Sequence, residues 1–403
     1  MTTPAPRAAP GRSKAVSIGL LALAQVLAMS LWFVSAAILP ELTAEAGLGT
    51  ARAAALSSAV QIGFVLGALA LAIHGTADRH DPRRVLALSA LIAAAANLAL
   101  LVTPPGGAAQ IALRLVTGAA LAGVYPVGMK IAVGWGTRDR GLLVGLLVGA
   151  LTVGSALPHL LAFTGGPDWR TTVALASALA AAGGLLVLAI GLGPHHARAA
   201  AFDPGALRLA WTDRRIRLAF AGYLGHMWEL YAFWAWIAAA ATAAFVLPLG
   251  EAAPDAARLL AFTAIALGGI LCVPAGALAD RIGKARIAQV AMIVSGSAAV
   301  LTAVTLGGPL WLTVALVLVW GAAVIPDSAQ FSALVADAAP PDRAGSLMTF
   351  QTALGFMLTF FTVQATPAAA ALVGWPATLG LMALGPVVGV VAMQRLIRLH
   401  RST

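Results

Sequence analysis

The sequence predicts an all-α integral membrane protein whose twelve transmembrane helices form two parallel six-helix repeats. Three observations predict it. Of 403 residues, 60% are hydrophobic and 10% are charged, against about 45–50% and about 25% in soluble domains. So little charge cannot cover a water-facing surface, and the chain needs lipid as its solvent. The apolar residues also gather into runs near the ~20 residues that cross a hydrocarbon core at 1.5 Å rise each. Finally, four landmarks recur in order at an offset of 200–203: Leu31-Trp32 with Phe233-Trp234, Asp78-Arg79 with Asp280-Arg281, Val124-Tyr125-Pro126 with Val324-Ile325-Pro326, and Asp139-Arg140 with Asp342-Arg343.

Residues 1–14, rich in Pro, Arg and Lys, read as a disordered cytoplasmic N-terminus. The first apolar run, 15–39, exceeds the 7–15 residues of a signal-peptide core and reads as a retained helix. Five further spans follow at 53–76, 84–103, 109–133, 141–163 and 171–192, making an N-terminal bundle over 15–192. A basic connector occupies 193–217. In it, Asp203-Pro204 reads as an N-cap followed by Pro at the first helical position. Leu207, Ala210 and Trp211 there suit a membrane surface, with a solvated linker as the alternative. The second bundle covers 218–398, with spans at 218–246, 257–279, 286–306, 310–336, 344–364 and 375–397. The run at 310–336 holds Pro326 and Asp327 and is kept as one kinked span, because a membrane helix tolerates Pro where neighbours satisfy the backbone.

Lys and Arg set the orientation. With the N-terminus inside, 21 of the 25 basic residues fall on the inner side, three (Arg52, Arg170, Arg258) on the outer side, and Arg114 within a span. Both termini are therefore expected in the cytoplasm of a multi-pass plasma (bacterial inner) membrane protein. The net charge of +10 is spread over short loops rather than one face, so it signals topology and not nucleic acid. The single cysteine, Cys272, lies in an apolar run and reads as filler.

The stretch Gly276-Ala277-Leu278-Ala279-Asp280-Arg281-Ile282-Gly283-Lys284-Ala285-Arg286 is a polar, basic punctuation between two long apolar runs. It resembles the loop between the second and third helix of each half of major facilitator superfamily transporters. Ala77-Asp78-Arg79-His80-Asp81-Pro82-Arg83-Arg84 is a partial copy. The resemblance covers roughly 15–398 and implies two six-helix halves with a substrate site between them near the midplane. It also implies a gating role for Asp78, Arg79, Asp280, Arg281, Gly283 and Arg286. In that role the carboxylates latch onto basic residues and helix ends of a neighbouring span in the outward-open state, where plain topology signalling is the simpler alternative. Arg114, followed four residues later by Gly118, resembles the family's fourth-span motif, which implies either proton coupling or structural bonding. Gly145, Gly149 and Gly154 resemble the fifth-span motif of the antiporter branch, with Pro158 in place of its third Gly. Trp32–Pro40 with Tyr125–Lys130 resembles bacterial permeases grouped with nitrate/nitrite and cyanate permeases. The Gly/Asn-rich signature and paired midplane arginines of nitrate carriers are not in the chain.

A charged side chain inside lipid costs from about 2.5 to above 10 kcal/mol, so Arg114 is expected to face the bundle interior or a cavity. The span at 218–246 carries Tyr223, His226, Trp228, Glu229, Tyr231, Trp234 and Trp236. His226, Glu229, Phe233 and Trp236 share one helical face, which is expected to line a cavity; aromatic packing around a hydrogen-bonded acid is the alternative. Glu229 lies near the midplane and is assigned the coupling proton, with His226 one turn before it to share or tune that proton. Binding of a cationic substrate, or a bridge to Arg114, are the competing roles for Glu229. Trp32, Tyr125, His159, Tyr231, Trp234 and Asp327 complete the expected substrate cavity.

No Gly-x-x-x-x-Gly-Lys-Ser/Thr loop and no His/Cys metal cluster occurs, so neither ATP-driven transport nor a cofactor or bound metal is expected. The reading is a non-enzymatic, proton-coupled secondary transporter working by alternating access, with export of a drug or metabolite preferred. Its partners are a small-molecule substrate, the proton and the lipid bilayer, with no nucleic acid, and the chain is expected to be a monomer. An uptake permease for a small anion, a membrane sensor on the same scaffold and a channel are the alternatives.

Overall fold

The structure is a computed structural model that describes residues 13–136, 139–166, 168–194, 203–340 and 343–401, with the side chains of Ala77, Asp78, Arg140, His400 and Arg401 outside the description. The expectations for residues 1–12, and for the acid of the partial loop copy, lie outside it.

Among the described residues the chain is helical throughout, in the order α1 (Lys14–Met29), α2 (Val34–Ala46), α3 (Thr50–His74), α4 (Thr76–Arg79), α5 (Pro82–Leu98), α6 (Ala108–Leu121), α7 (Tyr125–Val133), α8 (Arg140–Gly165), α9 (Trp169–Leu186), α10 (Leu209–Thr212), α11 (Arg214–Leu249), α12 (Ala253–Ile282), α13 (Lys284–Thr305), α14 (Leu310–Ala323), α15 (Ser328–Ala338), α16 (Ala344–Met382) and α17 (Leu384–Arg401). Local signals start several of them. Asp81 caps α5 ahead of Pro82, Asp168 caps α9, and Asp213 caps α11 by accepting from Arg215 and Ile216 N–H.

Ten stretches among the described residues are long and apolar enough to cross a membrane. Two of them, Arg214–Ile282 and Ala344–Leu399, run 69 and 56 residues. At 1.5 Å per residue these would be about 100 and about 80 Å long, far beyond a ~30 Å core. Each is interrupted part-way: the first between α11 and α12, where Gly250 takes φ 53°, and the second at Gly374, whose φ of 80° only Gly adopts without strain. Two crossings in each gives the twelve expected.

Among the described residues three expected spans are broken over three or four residues, besides the single-residue interruption of the twelfth at Ala383. The first breaks at Ser30–Phe33, between α1 and α2. The fourth breaks at 122–124, and the tenth at 324–327. The last two breaks fall at the repeated Val124-Tyr125-Pro126 and Val324-Ile325-Pro326, so the proline signal marks equivalent interruptions. The first span also runs on to Ala46, past the expected end at residue 39.

The two halves of the sequence meet along α8 with α12 and α3 with α16. At the first crossing a Cβ on Gly149 would sit 2.5 Å from Gly269 O, and one on Gly269 2.8 Å from Gly149 O. Only hydrogen at both positions permits this approach, so Gly149, with Gly145 against Cys272 O, brings the two halves together, whereas Gly154 packs on Val26 of α1 in its own half. At the second crossing the Ser58 hydroxyl donates to Gln364 Oε1 at 2.8 Å. In the connector, Asp203 accepts from Gly205 N–H at 2.8 Å ahead of a 3-10 turn, as its N-cap signal predicts. Asp203 N–H in turn donates to the Ser346 hydroxyl of α16 at 2.9 Å, and Ala206 and Ala210 are buried while Trp211 is exposed.

Candidate functional site

Between the halves lies a cluster of aromatic rings. Trp32 from the break in the first span stands 5.0 Å from Phe64 of α3, 5.8 Å from Tyr231 of α11 and 5.5 Å from Phe356 of α16, centroid to centroid. Phe33 stands 5.8 Å from both Tyr231 and Trp234. Phe64 and Phe356 are 4.3 Å apart, joining the halves directly. The expected cavity residues Trp32, Tyr231 and Trp234 are thus brought together. His159 of α8 is fully buried against the backbone of Trp234. Tyr125 is half-buried at the start of α7.

The face of α11 that carries His226, Glu229, Phe233 and Trp236 does not line this seam. It turns into the C-terminal helices. Ser295 of α13 donates to Glu229 Oε2 at 2.9 Å, and Trp320 of α14 donates its Nε1–H to Oε1 at 2.7 Å. Phe233 stacks on Trp320 at 4.6 Å. Trp236 donates to Val363 O of α16 at 2.9 Å. A carboxylate at the middle of a span needs donors, and these two helices supply them, so packing within the half decides which face turns inward. The opposite face, with Tyr231 and Trp234, meets the first span.

His226 is not the partner of Glu229. Its Nδ1 lies 2.9 Å from Asp327 Oδ1, both side chains fully buried, in an ion-pair contact off the line of a hydrogen bond. Asp327 stands at the break between α14 and α15, which aims it at α11. The described C-terminal half therefore holds two buried carboxylates, one on Ser295 and Trp320, the other on His226.

Arg114 is fully buried, as its charge in lipid requires, but it does not reach Glu229. Its Nη1 donates to Asn97 Oδ1 at 2.9 Å, and its Nη2 donates to Leu31 O at 2.9 Å and Trp32 O at 2.7 Å. Those carbonyls sit in the break of the first span. Arg114 thus satisfies an interrupted backbone and fixes the place of Trp32, while Asn97 is itself held by Ser177 and Val173 O. No bridge joins Arg114 to Glu229 in this structure; its bonds go to Asn97 and the Leu31 and Trp32 carbonyls.

Charged side chains stand at both ends of the seam. At the arginine-rich end, Asp280 lies against the first turn of α8: a Cβ on Gly141 would sit 2.8 Å from its Oδ2. The positive end of the α8 dipole favours a carboxylate there. Arg281, Gly283 and Arg286 are exposed beside it, the last two around a concavity of about 530 Å³ that also includes Lys284 and Asp337, paired at 2.5 Å. Arg79 is exposed at the end of α4, and Asp78 lies outside the described side chains. At the opposite end, Arg258 of α12 pairs with Glu41 of α2 and, at 3.1 Å, with Asp255. Nearby, Glu45 accepts from Arg170 at 2.6 Å and from Trp169 Nε1–H at 2.7 Å.

Sequence reasoning missed Ser295, Trp320, Asn97, Glu41 and Arg258. For Glu41 and Arg258 a signal existed: each is a charge at the outer end of an apolar span, of opposite sign, one in each half. For Ser295 and Trp320 there was none.

A sequence profile of the Major Facilitator Superfamily matches residues 21–363. The chain belongs to the major facilitator superfamily. It is accordingly a multi-pass membrane transporter of the secondary type and not an enzyme. Among solved structures it is similar to the nucleoside transporter NupG, in a mutant form, at 16% identity and a TM-score of 0.70, covering 95% of this chain and 100% of that one. It is also similar to a D-xylose-proton symporter at 15% identity and a TM-score of 0.73, covering 95% and 97%. At these identities the likeness is one of fold. No curated protein matches the sequence.

Proposed function

We propose that this superfamily member moves a small molecule by alternating access, coupled to the proton through Glu229, with the halves 15–192 and 218–398 rocking about the aromatic seam. The observation that carries the reading is an approach of the two halves at each end of that seam, an ion pair at one end and a carboxylate beside a helix start at the other. Asp280 on the first turn of α8 joins the halves at the arginine-rich face, and Arg258 on Glu41 joins them at the other. Holding both describes an occluded state; releasing one at a time opens the seam to one side only. The glycine contact of α8 with α12 is a tight pivot between the two ends.

The surroundings of Glu229 support a proton site. The Ser295 hydroxyl has one hydrogen and lies within reach of two acceptors, Glu229 Oε2 at 2.9 Å and Met292 O at 3.4 Å. With Glu229 ionised, Ser295 donates to it. With Glu229 protonated on Oε2, the carboxyl donates to Ser295 Oγ, which turns its hydrogen to Met292 O. Either charge state is satisfied without moving the backbone. Phe233 on Trp320 links this site to Trp234, the next residue, in the seam. His226 and Asp327 form a second buried pair on the same helices.

The 21-to-3 division of basic residues supports cytoplasmic termini in the bacterial inner membrane. Export of a drug or metabolite is the preferred direction; Pro158 departs from the antiporter-branch motif that Gly145, Gly149 and Gly154 resemble. The chain works as a monomer in this reading. The test is counterflow in proteoliposomes: a carrier shows trans-stimulation by unlabelled substrate, and a channel or sensor does not.

A further inference from the structure

Of the ten tryptophans, five donate their indole N–H within the described residues, and the exposed Trp211 and Trp311 and the half-buried Trp375 do not. Trp135 donates to Gly191 O, Trp169 to Glu45, Trp228 to Leu381 O, Trp236 to Val363 O and Trp320 to Glu229. Trp32 and Trp234 are 2% and 0% exposed, yet neither Nε1–H has a partner among the described residues. A buried indole N–H is normally satisfied, because leaving it bare forfeits its hydration with nothing in return. These two are not scattered. One comes from each half, and both border Phe33 and Tyr231 in the seam.

Charge in the surroundings narrows what would satisfy them. Among the described residues the four buried Arg, Asp and Glu side chains each face a partner: Arg114 on Asn97 and the Leu31 and Trp32 carbonyls, Glu229 on Ser295 and Trp320, Arg258 on Glu41, and Asp327 on His226. An ionic substrate would enter an aromatic cluster without an uncommitted counter-charge, at a steep desolvation cost. A neutral molecule bears no such cost. Ring walls favour a flat body, and two unmet donors ask for acceptors.

We infer that the substrate of this seam is an uncharged ring compound bearing carbonyl-type acceptors, held between the halves by the N–H groups of Trp32 and Trp234. The inference rests on the alternating-access reading. A ligand bridging one donor from each half binds the occluded state better than either open one, which is the differential affinity that a substrate needs in order to move the equilibrium.

The test uses the purified full chain in lipid nanodiscs and follows melting temperature and tryptophan fluorescence. The probes are caffeine and uracil as neutral carbonyl-bearing rings, benzoate and benzyltrimethylammonium as charged rings, and xylose as a neutral hydroxyl-rich ring. Caffeine or uracil is expected to stabilise the protein more than the other three. Trp32→Phe and Trp234→Phe, which keep an aromatic ring and lose the donor, are expected to weaken that binding about ten-fold or more. Trp234→His, which restores a ring N–H, should recover part of it, and Trp228→Phe should bind as wild type. Selective stabilisation by a charged ring or by xylose, no binding of either carbonyl compound, or unchanged affinity in both Phe variants overturns the inference. Should a Phe variant fail to fold, the His variant and the probe ranking on wild type decide alone. Ligand-free distance measurements across both faces report alternating access independently, so a failure here leaves that reading distinguishable.

Discussion

The Ser295 hydroxyl donates to Glu229 Oε2 from 2.9 Å, with Met292 O at 3.4 Å as its alternative acceptor. This arrangement suits a carboxyl that gains and loses a proton in place. Glu229→Gln is expected to abolish gradient-driven transport while keeping substrate exchange. A cation-binding acid would lose both. Proteoliposome assays with and without an imposed pH gradient separate the cases, and accumulation equal to wild type removes Glu229 from the coupling role.

Arg114 bonds to Asn97 and to two carbonyls of a broken helix, so its removal is structural. Each hydrogen bond to a charged group is worth about 1.5–3 kcal/mol. Arg114→Gln should lower the melting temperature markedly while pH dependence of any residual transport stays as in wild type. A variant that melts normally but is uncoupled would return Arg114 to the proton path.

Asp81 caps α5 and is held by Arg83 at 2.6 Å, which keeps its carboxyl below the ordinary value of 3.8. A carboxyl depressed in the folded state adds stability above its unfolded pKa. That stability is lost as pH falls through the folded pKa. The melting temperature should therefore fall below about pH 4, and Asp81→Asn should be less stable at neutral pH and show a shallower acid-side decline. Parallel pH–melting curves for the two proteins would contradict this.

Glu41 and Arg258 close the end of the seam opposite Asp280. Truncating one partner of a mostly buried charge pair costs about 2–5 kcal/mol. Glu41→Gln should populate a state open at that face, read as faster thiol labelling of a cysteine placed in the seam from the side opposite the termini. An unchanged labelling rate would make the pair a surface ornament.

What was legible in the sequence follows from how local each cause is. Crossings were legible because about twenty apolar residues suffice to define one. The breaks ahead of Pro126 and at Pro326 carried their own proline. The break at Ser30–Phe33 holds neither Gly nor Pro. Its carbonyls are held by Arg114, more than eighty residues away, and no local pattern announces that. Helical periodicity correctly grouped His226, Glu229, Phe233 and Trp236 on one face, yet could not say which way the face turns. Ser295 and Trp320, 66 and 91 residues beyond Glu229, decide it. Asp280 was legible through its loop motif, whereas its contact with Gly141 required the fold.

The two faces are expected to open in alternation about the Asp280 and Arg258 contacts. Pulsed electron spin distances between label pairs across each face, in wild type and Asp280→Asn, test it most directly. The α8 dipole favours a nearby carboxylate by about 0.3–1 kcal/mol, so the Asn variant should shift population about two- to five-fold toward opening at the arginine-rich face. Longer distances are expected at that face, shorter or unchanged ones at the other, with reduced transport and unaltered expression. Unchanged distributions at both faces, or both faces lengthening together, would contradict it.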